Sequence, residues 1–328
     1  MTDAQAFPVA GSTAQTACDL CGSRQVTHAL QVAARALVKC NDCGLVRLNP
    51  PPTAAELSEV YDTGEYYTHE PPRLHSGRAD QVRNAVLSAF WGYPDEAGGS
   101  NGVIAKLLLR PLRDRAMPVP YPGDLPVLDV GCGNGQRLLE LQSRGCTALF
   151  GVEPTVGAAE QARLCTKADI RTCLLEEAGL PKHFFQLIVM NQVLEHVPSP
   201  TATLRKVLAM LRPGGYLYLT VPNYGALEAG LQGRYWSGLQ VPAHLHHFTP
   251  RPLRRLVVEA GFNITTWRTD TTAAITQAGL YDWYREKPSR FRRAVSHLPR
   301  MSFAPLTLLA DLLGRGQMLR VVAQHPKT

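Results

Sequence analysis

Four cysteines form two Cys-x-x-Cys-Gly knuckles, Cys18 with Cys21 and Cys40 with Cys43, with 18 residues between the pairs. This spacing can bring four thiolates to one tetrahedral Zn2+. Four soft ligands fill every position, so such an ion is structural and has no place for water. The competing use is four buried or redox-active thiols. Cys132, Cys146, Cys165 and Cys173 are scattered and read as core or surface thiols.

A second chemical centre is LPVLDVGCGNG at 125–135. An apolar run ends in Asp129 and passes into Gly131-Cys132-Gly133-Asn134-Gly135, and an amphipathic segment follows. Glycines at this spacing let a backbone pass close beneath a ligand. A dinucleotide site reads GxGxxG and aims a helix N-terminus at pyrophosphate. Here a carboxylate precedes GxGxG, which disfavours phosphate and suits a cationic sulfonium or amino group. Glu153, in Gly151-Val152-Glu153-Pro154, stands 18 residues beyond Gly135, where a carboxylate can accept hydrogen bonds from ribose hydroxyls.

Three of the ten histidines cluster in VPAHLHHFTP (241–250), at His244, His246 and His247, and His196 follows Glu195 in NQVLEHV. An imidazole has an unperturbed pKa near neutrality and suits general base work. A histidine metal triad and histidines that tie down a loop are the rival uses of the cluster. Capping or orienting the loop is the rival for His196.

Positioning these groups requires a parallel sheet wrapped by helices. From Leu125 onward short apolar runs alternate with amphipathic stretches. The pattern predicts strands at 126–131, 148–153, 186–191, 216–221 and 262–268, a weaker one near 169–174, and a last one at 318–323. It predicts helices near 135–145, 156–166, 200–211 and 251–260. Upstream, the Pro-rich NPPPT (49–53) breaks the chain, and Thr53 to Glu56 opens a helix like a capping box. Residues 78–91 and 102–115 have helical apolar spacing, with a loop between them. The expected division is a tail (1–17), a zinc ribbon (18–47), a linker with a helical lid (48–123), and an α/β domain (124–328) with an insertion at 269–317. Tyr66 and Tyr67 could act as a lid over the ligand or simply pack their helical segment on the core. Tyr235 and Trp236 could form an apolar wall for substrate or be ordinary packing. LTLLADLLG (306–314) reads as a helix packed in the core or against a subunit, with a membrane surface as its rival.

DVGCGNG, GVEP, NQVLEHV and LRPGGYL in this order resemble the class I S-adenosylmethionine-dependent methyltransferases. The Cys-x-x-Cys-Gly pair, the Tyr-Tyr-Thr at 66–68 and VPAHLHHFTP resemble a small-molecule subset with an N-terminal zinc ribbon. The resemblance implies a Rossmann-like doubly wound α/β fold and methyl transfer from S-adenosylmethionine. It implies that Asp129, Gly131, Cys132, Gly133, Asn134 and Gly135 line the methionine end and that Glu153, with Pro154, holds the ribose. Leu174 falls where an acidic adenine contact is often placed, and Gln186 replaces the usual Asp before strand four. Asn191, Gln192, Glu195 and His196 would flank the transferred methyl group, and Tyr67 would close over the cofactor. Among the loop histidines the first and last, His244 and His247, are the recurrent ones in this subset.

Composition sets the outer limits. Hydrophobic residues make up 45% and charged residues 19% of 328, the profile of a folded globular protein. The net charge of +7 is concentrated late: residues 269–328 hold nine Lys or Arg against four Asp or Glu, centred on Arg285 to Arg300. Such a face could meet a membrane surface, a phosphorylated substrate or a nucleic acid, or could simply be solvated. No apolar run approaches a spanning length and the N-terminus lacks a signal pattern, so a cytoplasmic location is expected. The expected partner is a small molecule or a glycan or lipid precursor. The alternatives are an RNA methyltransferase that grips RNA through its ribbon, and a scaffold that retains the fold without activity. The ribbon has no Phe, Tyr or Trp for base stacking, which argues against RNA.

Overall fold

The computed structural model describes residues 17–53, 55–57, 71–74, 77–94, 102–115, 117–271 and 304–327. The chain opens with three short strands, β1 (Val26–Val32), β2 (Arg35–Cys40) and β3 (Val46–Asn49), paired antiparallel. The expected capping box is present: the Glu56 carboxylate accepts from the Thr53 amide (2.7 Å), and the Thr53 hydroxyl accepts from the Glu56 amide (3.3 Å). Two helices follow, α1 (Arg78–Trp91) and α2 (Val103–Leu109).

The larger unit alternates strand and helix: β4 (Val127–Val130), α3 (Gln136–Ser143), β5 (Leu149–Val152), α4 (Val156–Cys165), β6 (Asp169–Arg171) and β7 (Phe185–Asn191). It continues with α5 (Pro200–Met210), β8 (Leu211–Pro222), α6 (Leu227–Gln232), the two-residue strand β9 (His246–His247), α7 (Pro250–Glu259), β10 (Asn263–Asp270), α8 (Ala304–Leu312) and β11 (Met318–Gln324). Local chemistry explains the helix starts. Pro200 and Pro250 supply first-turn prolines, and the Ser199 hydroxyl caps α5 by accepting from the Ala202 amide (3.2 Å). Leu253, Leu256 and Val257 give α7 a buried face at the three- and four-residue spacing of a helix.

Seven strands form one sheet in the order β10-β11-β8-β7-β4-β5-β6. Pairs from β8 to β6 are parallel, and β11 runs antiparallel to both its neighbours. This is the Rossmann-like class I methyltransferase architecture. The central strands are buried on both faces. Leu128, Val130, Ile188 and Met190 face one apolar layer, and Val127, Leu187 and Val189 face the other. The chain leaves β4 toward β5 on one side and β7 on the other, so the crevice above the carboxyl end of β4 is the topological switch point, where such folds bind ligands.

The N-terminal sheet does not end with its own three strands. β9 joins it as a fourth, with Val46 opposite His247 and Arg47 opposite His246. The ribbon strand therefore runs past the expected boundary at residue 47. A third apolar cluster joins the small sheet to α6 and the segment after it: Leu37, Val46 and Leu48 meet Ala226, Ala229, Trp236 and Leu239. Of the two uses expected for Trp236, packing is the one seen: it belongs to this cluster and is 4% exposed. In the helix at 304–312 Ala310 is buried, while Leu308, Leu309, Leu312 and Leu313 are exposed, so these leucines are not part of the core. No helix among the described residues is long and apolar enough to cross a membrane. Tyr66, Tyr67 and the basic segment Arg285 to Arg300 lie outside the described residues.

Candidate active site

The loop between β4 and α3 is held in a shape that demands glycine. Gly131 and Gly135 have φ of 65° and 85°. A Cβ on Gly131 would sit 2.7 Å from the Val193 side chain, and one on Gly135 would sit 3.1 Å from Ala162. Gly131 thus lets the segment after β7 close directly over the loop. The loop is further tied to the end of β5. The Glu153 carboxylate accepts from the Gly133 amide (2.9 Å) with one oxygen and from the Thr155 amide (2.9 Å) with the other. Each oxygen keeps a second lone pair, so the same carboxylate can still accept from a diol. Asn134 accepts from the Gln136 amide (3.1 Å) and opens α3, while Cys132 is buried.

Asp129 ends β4 and is 3% exposed. Burial raises its carboxyl to about 7, opposed by the Arg137 guanidinium and reinforced by Glu153 and Glu140. A buried carboxylate short of compensating charge beside a loop braced by a second carboxylate fits a nucleoside with a cationic arm. It fits a pyrophosphate poorly. Pro154 is exposed, and Leu174, after β6, is 53% exposed with its amide donating to Glu177 (3.3 Å).

Asn191 closes β7, and its side-chain oxygen accepts from the Thr220 hydroxyl (2.5 Å) on β8. Gln192 follows with φ of 55°, turning the chain toward Val193 and then Glu195 and His196. The loop carrying the other histidines returns to this point. The Leu245 and His246 amides donate to the Glu195 carbonyl at 2.8 and 3.1 Å. His196 and His244 pack edge to face with ring centroids 4.6 Å apart. His247 lies 6.2 Å from His244 and 5.7 Å from the Tyr224 ring.

His244, His246 and His247 are buried, His196 is half-buried, and all four are neutral. Desolvation lowers His196 and His247 to about 3 and His244 and His246 to about 4. His196 Nδ1 contacts the Ala243 carbonyl (3.1 Å) and His244 Nδ1 the Gly238 carbonyl (2.9 Å). A carbonyl only accepts, so each of these rings carries its proton on Nδ1 and its lone pair on Nε2. His247 Nε2 is buried with no hydrogen-bond partner among the described residues. His246 instead contacts the Pro198 carbonyl with Nε2 (3.4 Å), and the Arg47 charge helps to keep it neutral.

The four knuckle cysteines converge. Cys18 and Cys43 sulfurs are 3.5 Å apart, as are those of Cys21 and Cys40, and all four lie within 4.8 Å of one another. Sulfurs around a tetrahedral ion with bonds near 2.3 Å stand about 3.8 Å apart, so the donor set fits a metal. Asp19, beside Cys18, links this unit to the larger domain. Its carboxylate accepts from the Ser199 hydroxyl (2.6 Å) and the Thr201 amide (2.9 Å). Asp19 and Tyr224 carry no sequence signal for these roles, because each acts on a segment distant in the chain.

Among families of known proteins, one described as a methyltransferase domain matches residues 101–266. Among curated proteins, the chain is similar to a ubiquinone biosynthesis O-methyltransferase of Xanthomonas axonopodis pv. citri, at 30% identity over 135 residues, 39% of this chain and 56% of that one. It is similar to the protein of the same description from Cereibacter sphaeroides at 28% over 162 residues, 46% of this chain and 65% of that one. The chain thus spans a little over half the length of these relatives. Among solved structures, an S-adenosylmethionine-dependent methyltransferase from Mesorhizobium loti aligns with a TM-score of 0.46 and 19% identity, over 68% of this chain and all of that one.

Proposed function

Because the chain belongs to the methyltransferase family whose domain spans residues 101–266, we propose that it transfers the methyl group of S-adenosylmethionine to a hydroxyl oxygen of a small molecule, with His247 accepting the proton. The relatives described as O-methyltransferases support oxygen as the acceptor atom. When bound, the cofactor supplies a methyl carbon already activated by a positively charged sulfur. The protein's part is to hold the two reactants in line and to remove a proton.

Asp129 supplies negative charge toward the cationic end, the loop from Gly131 to Gly135 admits the nucleoside against backbone, and Glu153 accepts from the ribose. Asn191 and Gln192 border the methyl group. His247 is kept neutral by burial, and its Nε2, unpartnered among the described residues, is ready for a proton. The four cysteines hold a structural Zn2+, which stiffens the sheet that carries β9.

The observation that carries this reading is contiguity. Val193 seals Gly131, and three residues later His196 meets His244, which in turn neighbours His247. The glycine loop and the histidines therefore share the carboxyl edge of one sheet. The test is transfer of labelled methyl from S-adenosylmethionine to a panel of hydroxylated small molecules. His247→Asn should lower turnover on the accepted compound by about 100-fold or more while leaving cofactor affinity within a few fold. Unchanged turnover removes His247 as the base, and failure to bind the cofactor removes the whole reading.

A further inference from the structure

We propose that Glu195, His196 and His244 form a binding site for a divalent transition-metal ion, distinct from the four-cysteine site. One donor atom from each lies within 4.8 Å of the others. Both carboxylate oxygens of Glu195 are buried, and no other residue among those described donates a hydrogen bond to them. That is an expensive arrangement for an anion unless a cation completes it.

The histidines are prepared as ligands. Each offers Nδ1 to a backbone carbonyl, Ala243 for His196 and Gly238 for His244. This is the outer contact that metal-binding imidazoles make, and it directs the Nε2 lone pair to the ion. Two neutral imidazoles and one carboxylate suit Zn2+, Mn2+ or Fe2+ better than Ca2+ or Mg2+. Ligands at about 2.1 Å from a tetrahedral ion stand about 3.4 Å apart, so modest side-chain rotation closes the set. The two strands of evidence are independent: one is the geometry of three donors, the other a buried carboxylate to which no other described residue donates.

Three protein ligands leave a position for water or for an acceptor oxygen. A hydroxyl bound there is acidified beside His247, and this last step alone rests on the methyl-transfer reading.

The test uses the untagged full chain, stripped with a chelator and titrated with Co2+ under argon. Total bound metal is measured by equilibrium dialysis, and the thiolate-to-cobalt absorption reports the cysteine site. The expected result is two ions per chain, with the thiolate absorption saturating at one. Glu195→Gln and His244→Asn should each weaken the second ion at least tenfold without changing the thiolate band. A total that stops at the thiolate-bound ion overturns the proposal on the unsubstituted chain, whatever the variants' folding. So does a second ion indifferent to both substitutions. Calorimetry with S-adenosylmethionine on the stripped chain separates the two ideas. Cofactor binding with one ion per chain defeats the metal site alone, and two ions without cofactor binding defeat the methyl-transfer reading alone.

Discussion

Asp129 is a carboxylate buried at a cost, which a cationic ligand would offset in the methyl-transfer reading proposed above. Burial lifts its carboxyl to about 7, so its charge is present above that pH and lost below it. Cofactor affinity should therefore fall as pH drops from 8 to 6, approaching tenfold per pH unit below 7. Asp129→Asn should bind the cofactor weakly at pH 8 and lose most of that dependence. Calorimetry across this range checks both. Stability runs the opposite way. A carboxyl raised in the fold contributes stability below its unfolded value near 4 and loses it as pH rises through 7. Without cofactor, Asp129→Asn should thus be more stable than the parent at pH 8, by something on the order of 1–4 kcal/mol. An unchanged or lowered melting temperature would contradict the desolvation account. Gly131 belongs to the same scale. Gly131→Ala forces a Cβ against Val193 at a positive φ, and cofactor affinity should fall at least tenfold, as titration would show.

At the scale of elements, the decisive contact is between β3 and β9. Val46 and Arg47 pair with His247 and His246, and the Leu48 amide donates to the Leu245 carbonyl (2.9 Å). The ribbon thus sets the backbone of the histidine segment. Asp19 fastens the same unit to the start of α5 through Ser199 and Thr201. Asp19→Ala removes charge-assisted bonds and should cost about 1–3 kcal/mol of stability. It should also lower turnover with little change in cofactor affinity, because the glycine loop does not touch Asp19. Parallel denaturation and kinetic measurements check this, and equal losses in turnover and cofactor binding would speak against it. The elements themselves were largely legible. Alternating apolar runs and glycine-rich breaks placed β4 to β8 and α3 to α5 within a few residues. The pairing of β9 was not, because two histidines in a loop carry no strand periodicity.

At the scale of the whole molecule, metal binding and catalysis should be coupled although they occupy different units. Stripping the ion from Cys18, Cys21, Cys40 and Cys43 should loosen β1 to β3 and, through β3, the strand at His246–His247. Hydrogen exchange at Val46 to Asn49 and at the His247 amide should rise, and turnover should fall, while exchange in β4 and β7 stays protected. Protection that persists at β3 and His247 after chelation would show the ribbon to be independent of the site. The larger domain has its own brace. Glu140 on α3 pairs with Arg137 at 2.8 Å and lies 3.8 Å from Arg83 on α1 and from Arg144. The Arg144 guanidinium also donates to Asn84 (3.2 Å). This cluster joins α1 to α3 and the turn that follows it.

Residue types and short spacings were enough to identify the glycine loop with its flanking carboxylates, the four-thiolate knuckles, and the order of strands and helices. Each of these is specified over a few neighbouring residues, by backbone conformations that few side chains tolerate and by the periods of helix and strand. Tertiary structure alone decided that the ribbon shares a sheet with His246 and His247, that Trp236 packs in the apolar cluster under the small sheet, and that Glu195 stands buried beside His196 and His244. Those outcomes depend on which distant segments meet and on how much water they exclude, and no local pattern encodes either.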